Sequence, residues 1–208
     1  MKISSLSILL KRLFETKTIT PSYKTPHIFF CIMLIGKESR GIGRYRIRKE
    51  INLGEGSVKT LLNRLKEENI IKVVETRQKG HILTEKGIKI LKELNNMIPF
   101  PEKIENENNQ FVVGKIAYYT LIDQQNIKKN LGSNIDQRDE AIKIGGTGAT
   151  CLIYDGNNKF SFSDGVLIDI PVEIGKLNKG DFLIIGAGNS KSEAILATYA
   201  AALSLLEI

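Results

Sequence analysis

The amino-acid sequence predicts an α+β chain of two domains, a mainly helical first half and a second half of mixed strands and helices. Its 208 residues suffice for two small domains. Residues 1–100 carry 20 Lys and Arg against 9 Asp and Glu, a net charge of +11, whereas residues 101–208 carry 10 against 14, a net charge of −4. This asymmetry indicates that only the first half meets a polyanion, although a basic surface that merely aids solubility is the alternative.

The composition is ordinary for a globular protein, with 42% hydrophobic and 25% charged residues. The longest purely apolar run, Ile28 to Ile35, is too short to cross a membrane, and the first residues lack the pattern of a signal peptide. Cys31 and Cys151 lie far apart in apolar surroundings, which is typical of reduced core residues. We therefore expect a cytoplasmic protein.

Helical spacing of apolar residues predicts three helices before residue 52. They cover residues 3–15, residues 27–36 behind Pro26, and Arg44 to Ile51. Because the run from Ile28 to Ile35 is apolar on all sides, this helix must be buried on both faces, within the domain or against a second subunit.

The segment from Gly54 to Glu68 predicts a tight glycine turn and a basic amphipathic helix, with Ser57 as its N-cap and Leu53 tucked into the core. One face is apolar, through Val58, Leu61, Leu62 and Leu65. The other face carries Lys59, Thr60, Asn63 and Arg64. A β-hairpin should follow, with strands at residues 70–76 and 81–83 and a turn at 77–80. Thr84 should cap a last helix, whose apolar stripe is Ile88, Leu91, Leu94 and Ile98.

This order of helices, turn and hairpin, with the segments Gly56–Leu62 and Leu83–Gly87, resembles the winged helix-turn-helix superfamily over residues 26–98. The whole chain is similar to an archaeal family of two-domain predicted transcriptional regulators, in which a domain of unknown function follows the winged helix. The resemblance implies that residues 1–98 bind DNA and that residues 111–208 form an effector-binding or oligomerisation domain. Between them, Pro99 and Pro101 end the last helix and an Asn- and Glu-rich stretch follows, which predicts a linker over residues 99–110.

Basic and polar residues occur at each of the three places where such a fold meets DNA. The expected contacts are Arg44, Arg46, Arg48 and Lys49 before the turn, Ser57, Lys59, Thr60, Asn63 and Arg64 on the recognition helix, and Arg77, Gln78 and Lys79 at the wing. We expect Arg64→Ala to relax base preference and Arg46→Ala to weaken binding to all sequences alike. RNA binding or pure protein contact is the alternative. His81, which follows the wing turn, is expected to be a surface or stacking residue without a special role.

The second half predicts strands separated by helices and turns. Strands are expected at residues 111–121, 149–154, 159–163, 166–170 and 181–185, and helices at 135–144 and 191–206. The last helix is rich in alanine, so it should pack closely on the sheet, with a dimer seam as the alternative. Two glycine-rich segments could bind an anion: Gly145, Gly146, Thr147 and Gly148, then Gly186, Gly188, Asn189 and Ser190. Simple turns are the competing interpretation, and Ser190 with Glu193 has capping-box spacing.

The sequence shows no evident catalytic constellation and no zinc-ligand spacing, so we expect neither metal nor cofactor. The expected function is a ligand-responsive transcription regulator that binds double-stranded DNA as a homodimer, without a membrane partner. The alternative is an enzyme or nucleotide-binding module in the second half, for example a kinase-like activity fused to an autoregulatory winged helix. Archaeal riboflavin kinases are sometimes fused in this way, but their Pro-Gly-Thr-Leu-Asn type motif is not found here. A third possibility is an interaction module without a DNA role.

Overall fold

The computed structural model describes residues 3–14, 21–74, 80–104, 114–129, 131–168 and 177–206. The chain divides into two compact units, Met1–Asn96 and Met97–Glu207. The α+β class is confirmed.

The first unit is a set of helices with one β-hairpin. Its elements are α1 (Ile3–Phe14), α2 (Thr25–Lys37), α3 (Arg44–Ile51), α4 (Glu55–Glu67), β1 (Ile71–Val74), β2 (Gly80–Leu83) and α5 (Glu85–Met97). Strands β1 and β2 pair antiparallel, and Ile42 adds a bridge to His81 on the outer side of β2. This is the winged helix-turn-helix arrangement that the sequence predicts.

Helix α2 forms the centre of this unit. Every residue from Pro26 to Ile35 is buried, which confirms the prediction from its apolar sequence. The helix begins where the backbone N–H of Lys24 donates to Nδ1 of His27 at 3.0 Å. Burial of the His27 ring lowers its pKa to about 4, because the charged form would lose its hydration.

The turn before α4 differs from the prediction in three ways. The N-cap is Gly54, in an extended conformation, and Ser57 lies in the first helical turn. Asn52, with φ 51°, supplies the left-handed residue that was expected of the glycines. Leu53 is only half-buried. The N-cap is the residue at which the backbone changes from an extended to a helical conformation. Gly54 takes this position although it has no side chain to accept a hydrogen bond.

The hairpin and the last helix of this unit also correct two predictions. Thr84 caps α5 as expected, since Gly87 N–H donates to Thr84 Oγ1 at 3.1 Å. Of the predicted apolar stripe, Leu94 and Ile98 are buried as expected, whereas Ile88 is exposed and Leu91 is half-buried. Gly87 and Ile90 are buried in their place. His81 is buried rather than a surface residue, and its Nδ1 lies 3.2 Å from the carbonyl of Ile42.

The described strands of the second unit form a six-stranded sheet in the order β3-β4-β8-β5-β6-β7, and each neighbouring pair is antiparallel. Its elements are β3 (Glu102–Lys103), β4 (Ile116–Ile122), α6 (Ile135–Lys143), β5 (Gly148–Tyr154), β6 (Phe160–Ser161), β7 (Leu167–Ile168), β8 (Phe182–Gly188) and α7 (Lys191–Leu205). A short 3₁₀ turn at Gln124–Asn126 follows β4.

Helix α7 packs on β4 and β8, which is the default that its alanine content predicted. All residues from Ala194 to Ala202 are buried, and Thr198 Oγ1 donates to the carbonyl of Tyr118 at 3.0 Å. A dimer seam on this helix therefore does not fit, because the sheet and α6 already cover its small residues. Cys31 and Cys151 are both buried and free, as expected.

Part of the segment predicted as a linker belongs to the sheet. Within residues 99–110 the structure describes residues 99–104, of which Glu102 and Lys103 pair with Tyr119 and Tyr118. The carbonyl of Pro99 accepts from Thr120 Oγ1 at 2.9 Å. These contacts place residues 99–104 in the second unit, and the asparagine-rich remainder lies outside the described residues.

Candidate nucleic-acid interface

The outward face of α4 carries three of the predicted contact residues. Lys59, Thr60 and Asn63 are exposed, while Val58, Leu61, Leu62 and Leu65 fix the opposite face in the core. The side chains of Lys59 and Asn63 make no hydrogen bond or ion pair with another described residue. Thr60 Oγ1 donates to the carbonyl of Gly56 at 3.0 Å, which leaves its oxygen as an acceptor. This face can therefore offer an ammonium group and an amide to a partner.

Arg64 points elsewhere, which contradicts its expected role as a base reader. Its Nη1 donates to the carbonyl of Leu13 and, at 2.9 Å, to the hydroxyl of Tyr23. Its guanidinium also lies 5.8 Å from the centre of the Tyr23 ring. Tyr23 is fully buried and donates its own hydroxyl proton to the Leu13 carbonyl. Arg64 therefore joins α4 to α1, and its Nη1 donors are occupied within the protein.

The arginines of α3 are exposed and paired with carboxylates. Arg44 and Arg48 lie 3.2 and 3.7 Å from the carboxylate of Glu55, and Arg46 pairs with Glu38. Lys49 also lies on the exposed surface of this helix. Exposed ion pairs contribute only about 0–1 kcal/mol each, so these cations can be transferred to phosphates at little cost.

Sequence reasoning did not single out Tyr45 and Glu55, which lie among these arginines. Tyr45 is 74% exposed, and the Arg48 guanidinium lies 5.4 Å from the centre of its ring. An open cleft of about 240 Å³ is lined by Arg44, Tyr45, Arg48, Glu55 and Val58. The exposure of Tyr45 could have been predicted from the helical spacing of α3, which places Tyr45 opposite the buried Ile47 and Ile51.

The predicted contacts at the wing, Arg77, Gln78 and Lys79, lie outside the described residues. Ser57 lies within the first turn of α4 and is half-buried, so it contributes less to the exposed face than predicted. Of the predicted contacts, the structure thus brings Arg44, Arg46, Arg48, Lys49, Lys59, Thr60 and Asn63 onto exposed parts of α3 and α4.

Three glycines of the glycine-rich segments, Gly146, Gly186 and Gly188, are packing positions. Gly186 and Gly188 lie within strand β8 and not in a loop, so that prediction was wrong. A Cβ on Gly186 would lie 2.2 Å from the backbone nitrogen of Thr198, and one on Gly146 would lie 2.6 Å from Ala197 Cβ. These glycines therefore let α7 approach the sheet, which is a requirement that a turn interpretation of the sequence does not reveal.

Side chains of α7 and of its N-cap accept hydrogen bonds from two backbone N–H groups at the start of the helix. Ser190 Oγ accepts from the N–H of Glu193 at 3.3 Å, and Glu193 Oε2 accepts from the N–H of Asn189 at 2.8 Å. The Ser190 bond is half of the predicted capping box, but Glu193 accepts from Asn189, the residue before the N-cap, and not from Ser190. Gly145, with φ 101°, ends α6 in a left-handed conformation, and Gly148 begins β5. Thr147 differs from these residues, because its buried Oγ1 has no hydrogen-bond partner among the described residues.

The described residues contain neither a membrane span nor a cluster of metal ligands. None of the described helices is long and apolar enough to cross a bilayer. Within the same residues, no three His, Cys, Asp or Glu side chains come together as a group that could hold a metal ion.

Comparison with known proteins divides the chain in two. Residues 27–89 match the model of the PH0730-like N-terminal domain, and residues 112–205 match a domain of unknown function, DUF4443. The hypothetical protein PH0730 from Pyrococcus horikoshii OT3 is 28% identical, with a TM-score of 0.70 over 88% of this chain and 93% of that chain. No protein of curated function matches. Leu13 and Tyr23, which hold Arg64, lie outside both matched segments.

Two bacterial structures are more distant. A point mutant of Lactococcus lactis ZitR is 19% identical, with a TM-score of 0.31 over 43% of this chain and 67% of that chain. S. agalactiae BusR, in complex with its busAB-promotor DNA, is 16% identical, with a TM-score of 0.27 over 87% of this chain and 97% of that chain. These scores are too low to support an argument. The resemblance to an archaeal two-domain family is confirmed: the chain joins a PH0730-like N-terminal domain of winged helix-turn-helix fold to a DUF4443 C-terminal domain.

Proposed function

We propose that this chain is a cytoplasmic transcription regulator that binds double-stranded DNA through α3 and α4. The observation that supports this most is the exposed face of α4, where Lys59, Thr60 and Asn63 project from a helix whose other face is fixed in the core. A rigid helix with a polar outer face is what the major groove admits.

The positions of the side chains suit α4 to base contacts and α3 to phosphate contacts. Asn63 can pair bidentately with adenine, and Lys59 can donate to guanine or to a phosphate. Arg44, Arg46, Arg48 and Lys49 lie on the helix that crosses the backbone in this fold, so they would neutralise phosphates. The wing residues Arg77, Gln78 and Lys79 remain part of the proposal as contacts to the adjacent groove.

The test of this proposal is a titration of the full chain against a fluorescent random-sequence duplex at several salt concentrations. If about four phosphates are neutralised, the logarithm of the affinity should fall with the logarithm of salt concentration with a slope of about −3.6. Arg46→Ala should make that slope shallower by about 0.9, because one cation is lost. Binding that hardly changes with salt would favour the alternative of a protein-interaction module.

The regulator should act as a homodimer, because a single recognition helix reads too few base pairs for a useful specificity ratio. The homodimer is supported by this recognition argument alone, because the small residues of α7 are buried within the chain and cannot form a dimer interface. Sedimentation of the full chain with a selected duplex should give a stoichiometry of two chains per duplex. One chain per duplex would overturn the dimer.

The second unit is proposed to carry the response to a small molecule. In support, side-chain oxygens of Asn134, Gln137 and Thr147 are buried without a hydrogen-bond partner among the described residues, and such acceptors usually find a donor. The packed glycines at 146, 186 and 188 are not part of this proposal. A thermal-shift screen of nucleotides, vitamins and amino acids that stabilises the chain in no condition would count against a ligand response.

A further inference from the structure

The carboxylate of Glu55 bridges two arginines of the preceding helix. Its Oε1 accepts from Arg44 Nη2 at 3.2 Å, and its Oε2 lies 3.7 Å from Arg48 Nη1. All three side chains are substantially exposed, at 62% for Glu55, 49% for Arg44 and 42% for Arg48. In the free protein, Glu55 therefore neutralises part of the charge that α3 would present to a polyanion.

This arrangement has to change when DNA arrives. Phosphate oxygens compete with the carboxylate for Arg44 and Arg48, and the exposed ion pairs are weak enough to exchange. Glu55 is then left without its partners at a surface that faces the negative backbone. Two unit charges at about 4 Å interact by about 1 kcal/mol in water and by more where water is excluded, so an unpartnered Glu55 opposes binding.

Glu55 can recover a partner only from a group that donates hydrogen bonds. It is the first residue of α4, and the N-terminal part of a recognition helix is the part that contacts base edges. In the major groove those donors are the amino groups of cytosine and adenine, and a carboxylate most often accepts from cytosine N4. A duplex that places such an amino group beside Glu55 removes the repulsion, and other duplexes do not.

We propose that Glu55 is a specificity-determining residue, which lowers affinity for duplexes that offer it no base amino group. This inference rests on the proposed function, because it requires that α3 and α4 face DNA. The physical basis is electrostatic repulsion. Duplexes without a base amino group beside Glu55 are rejected more strongly than duplexes with such a group are attracted.

The test compares full-length Glu55→Gln with the wild type on a random-sequence duplex. The substitution removes the charge and keeps the size of the side chain. Affinity should rise about 5- to 10-fold, which corresponds to about 1 to 1.4 kcal/mol. The salt slope should change by less than about 1, because Arg44 and Arg48 engage phosphates in both proteins.

Glu67→Gln is the matched control, since it makes the same change of net charge at the other end of α4, about 18 Å away along the helix axis. That distance exceeds the Debye length at physiological salt, so its effect should stay below about twofold. In parallel, selection from a randomised duplex pool should enrich cytosine or adenine at one position with the wild type, and Glu55→Ala should lose that enrichment.

The outcomes separate the inference from the proposed function. If the wild type binds with a steep salt dependence and Glu55→Gln behaves like Glu67→Gln, the inference is wrong and the proposed function stands. Weaker binding by Glu55→Gln would also overturn it, since Glu55 would then only hold the arginines in place. If neither the wild type nor Glu55→Gln binds duplex DNA at low salt, both statements are wrong.

Discussion

Replacement of Arg64 by alanine should destabilise the first unit without changing base preference. The guanidinium, the Tyr23 hydroxyl and the Leu13 carbonyl form a closed triangle of hydrogen bonds that joins α4 to α1. Arg12 and Glu68, 3.7 Å apart, add a weaker link between the same two helices. Arg64→Ala removes the strongest members of this set and leaves Arg12 and Glu68 unchanged.

The magnitude follows from the groups that lose a partner. Hydrogen bonds from a charged donor contribute about 1.5–3 kcal/mol, and a cation–π pair adds about 0.5–2 kcal/mol. The loss is smaller than their sum, because the Leu13 carbonyl still accepts from Tyr23 and is not left unpaired. We therefore expect the free energy of unfolding to fall by about 2–3 kcal/mol.

Urea unfolding followed by circular dichroism measures this change, and hydrogen exchange in peptides from α1 assigns it to the contact with α4. Arg64→Lys keeps the charge but loses the planar fork, so it should show about half the loss. Lys59→Ala is the matched surface control and should stay within about 0.5 kcal/mol of the wild type. The reasoning is refuted if Arg64→Ala unfolds like Lys59→Ala, or if it relaxes base preference while its stability is unchanged.

Three further predictions concern packing, pH and the recognition surface. Gly186→Ala should destabilise the second unit by more than about 2 kcal/mol, because the added Cβ would meet the backbone of α7. Gly56→Ala should stabilise the first unit by about 0.5–1 kcal/mol, because the added Cβ would lie in open space on α4. Chemical denaturation of both variants measures these changes. The pKa of His27 is lowered from 6.5 to about 4, so the unfolded state binds a proton at a higher pH than the folded state does. The free energy of unfolding should therefore keep its full value above pH 6.5 and fall by about 3 kcal/mol as the pH drops to 4. A pH-dependent loss of the same size in His27→Gln would contradict this. Arg44→Ala and Arg46→Ala should each weaken binding about 3- to 10-fold on every duplex alike, and a change confined to one sequence would be inconsistent with phosphate contacts.

The elements of the first unit could be predicted because their apolar residues follow helical spacing. Helix α3 spans Arg44–Ile51 as predicted, and α2 is buried throughout because its sequence offers no polar face. The cap at Gly54 was missed because residue preference alone favours Ser57, while the true cap depends on backbone angles.

The direction of Arg64 could not be read from the sequence. Its partners lie 51 and 41 residues away, and helical spacing alone places Arg64 near the edge of the exposed face. The same limit applies to Gly186, because a glycine in a turn and a glycine beneath a helix look identical in sequence. In both cases the information lies in tertiary packing and not in local pattern.

Selection of binding sites from a randomised duplex pool shows whether the outer face of α4 reads DNA bases. The full-length wild type should enrich one motif, with two copies related by a two-fold axis and about 10 base pairs, one helical turn, from centre to centre. The double variant Lys59→Ala, Asn63→Ala should still bind duplex DNA through the cations of α3 but lose the enrichment at the base positions that Lys59 and Asn63 contact. The claim is contradicted if the wild type enriches nothing, or if the double variant enriches the same motif as the wild type.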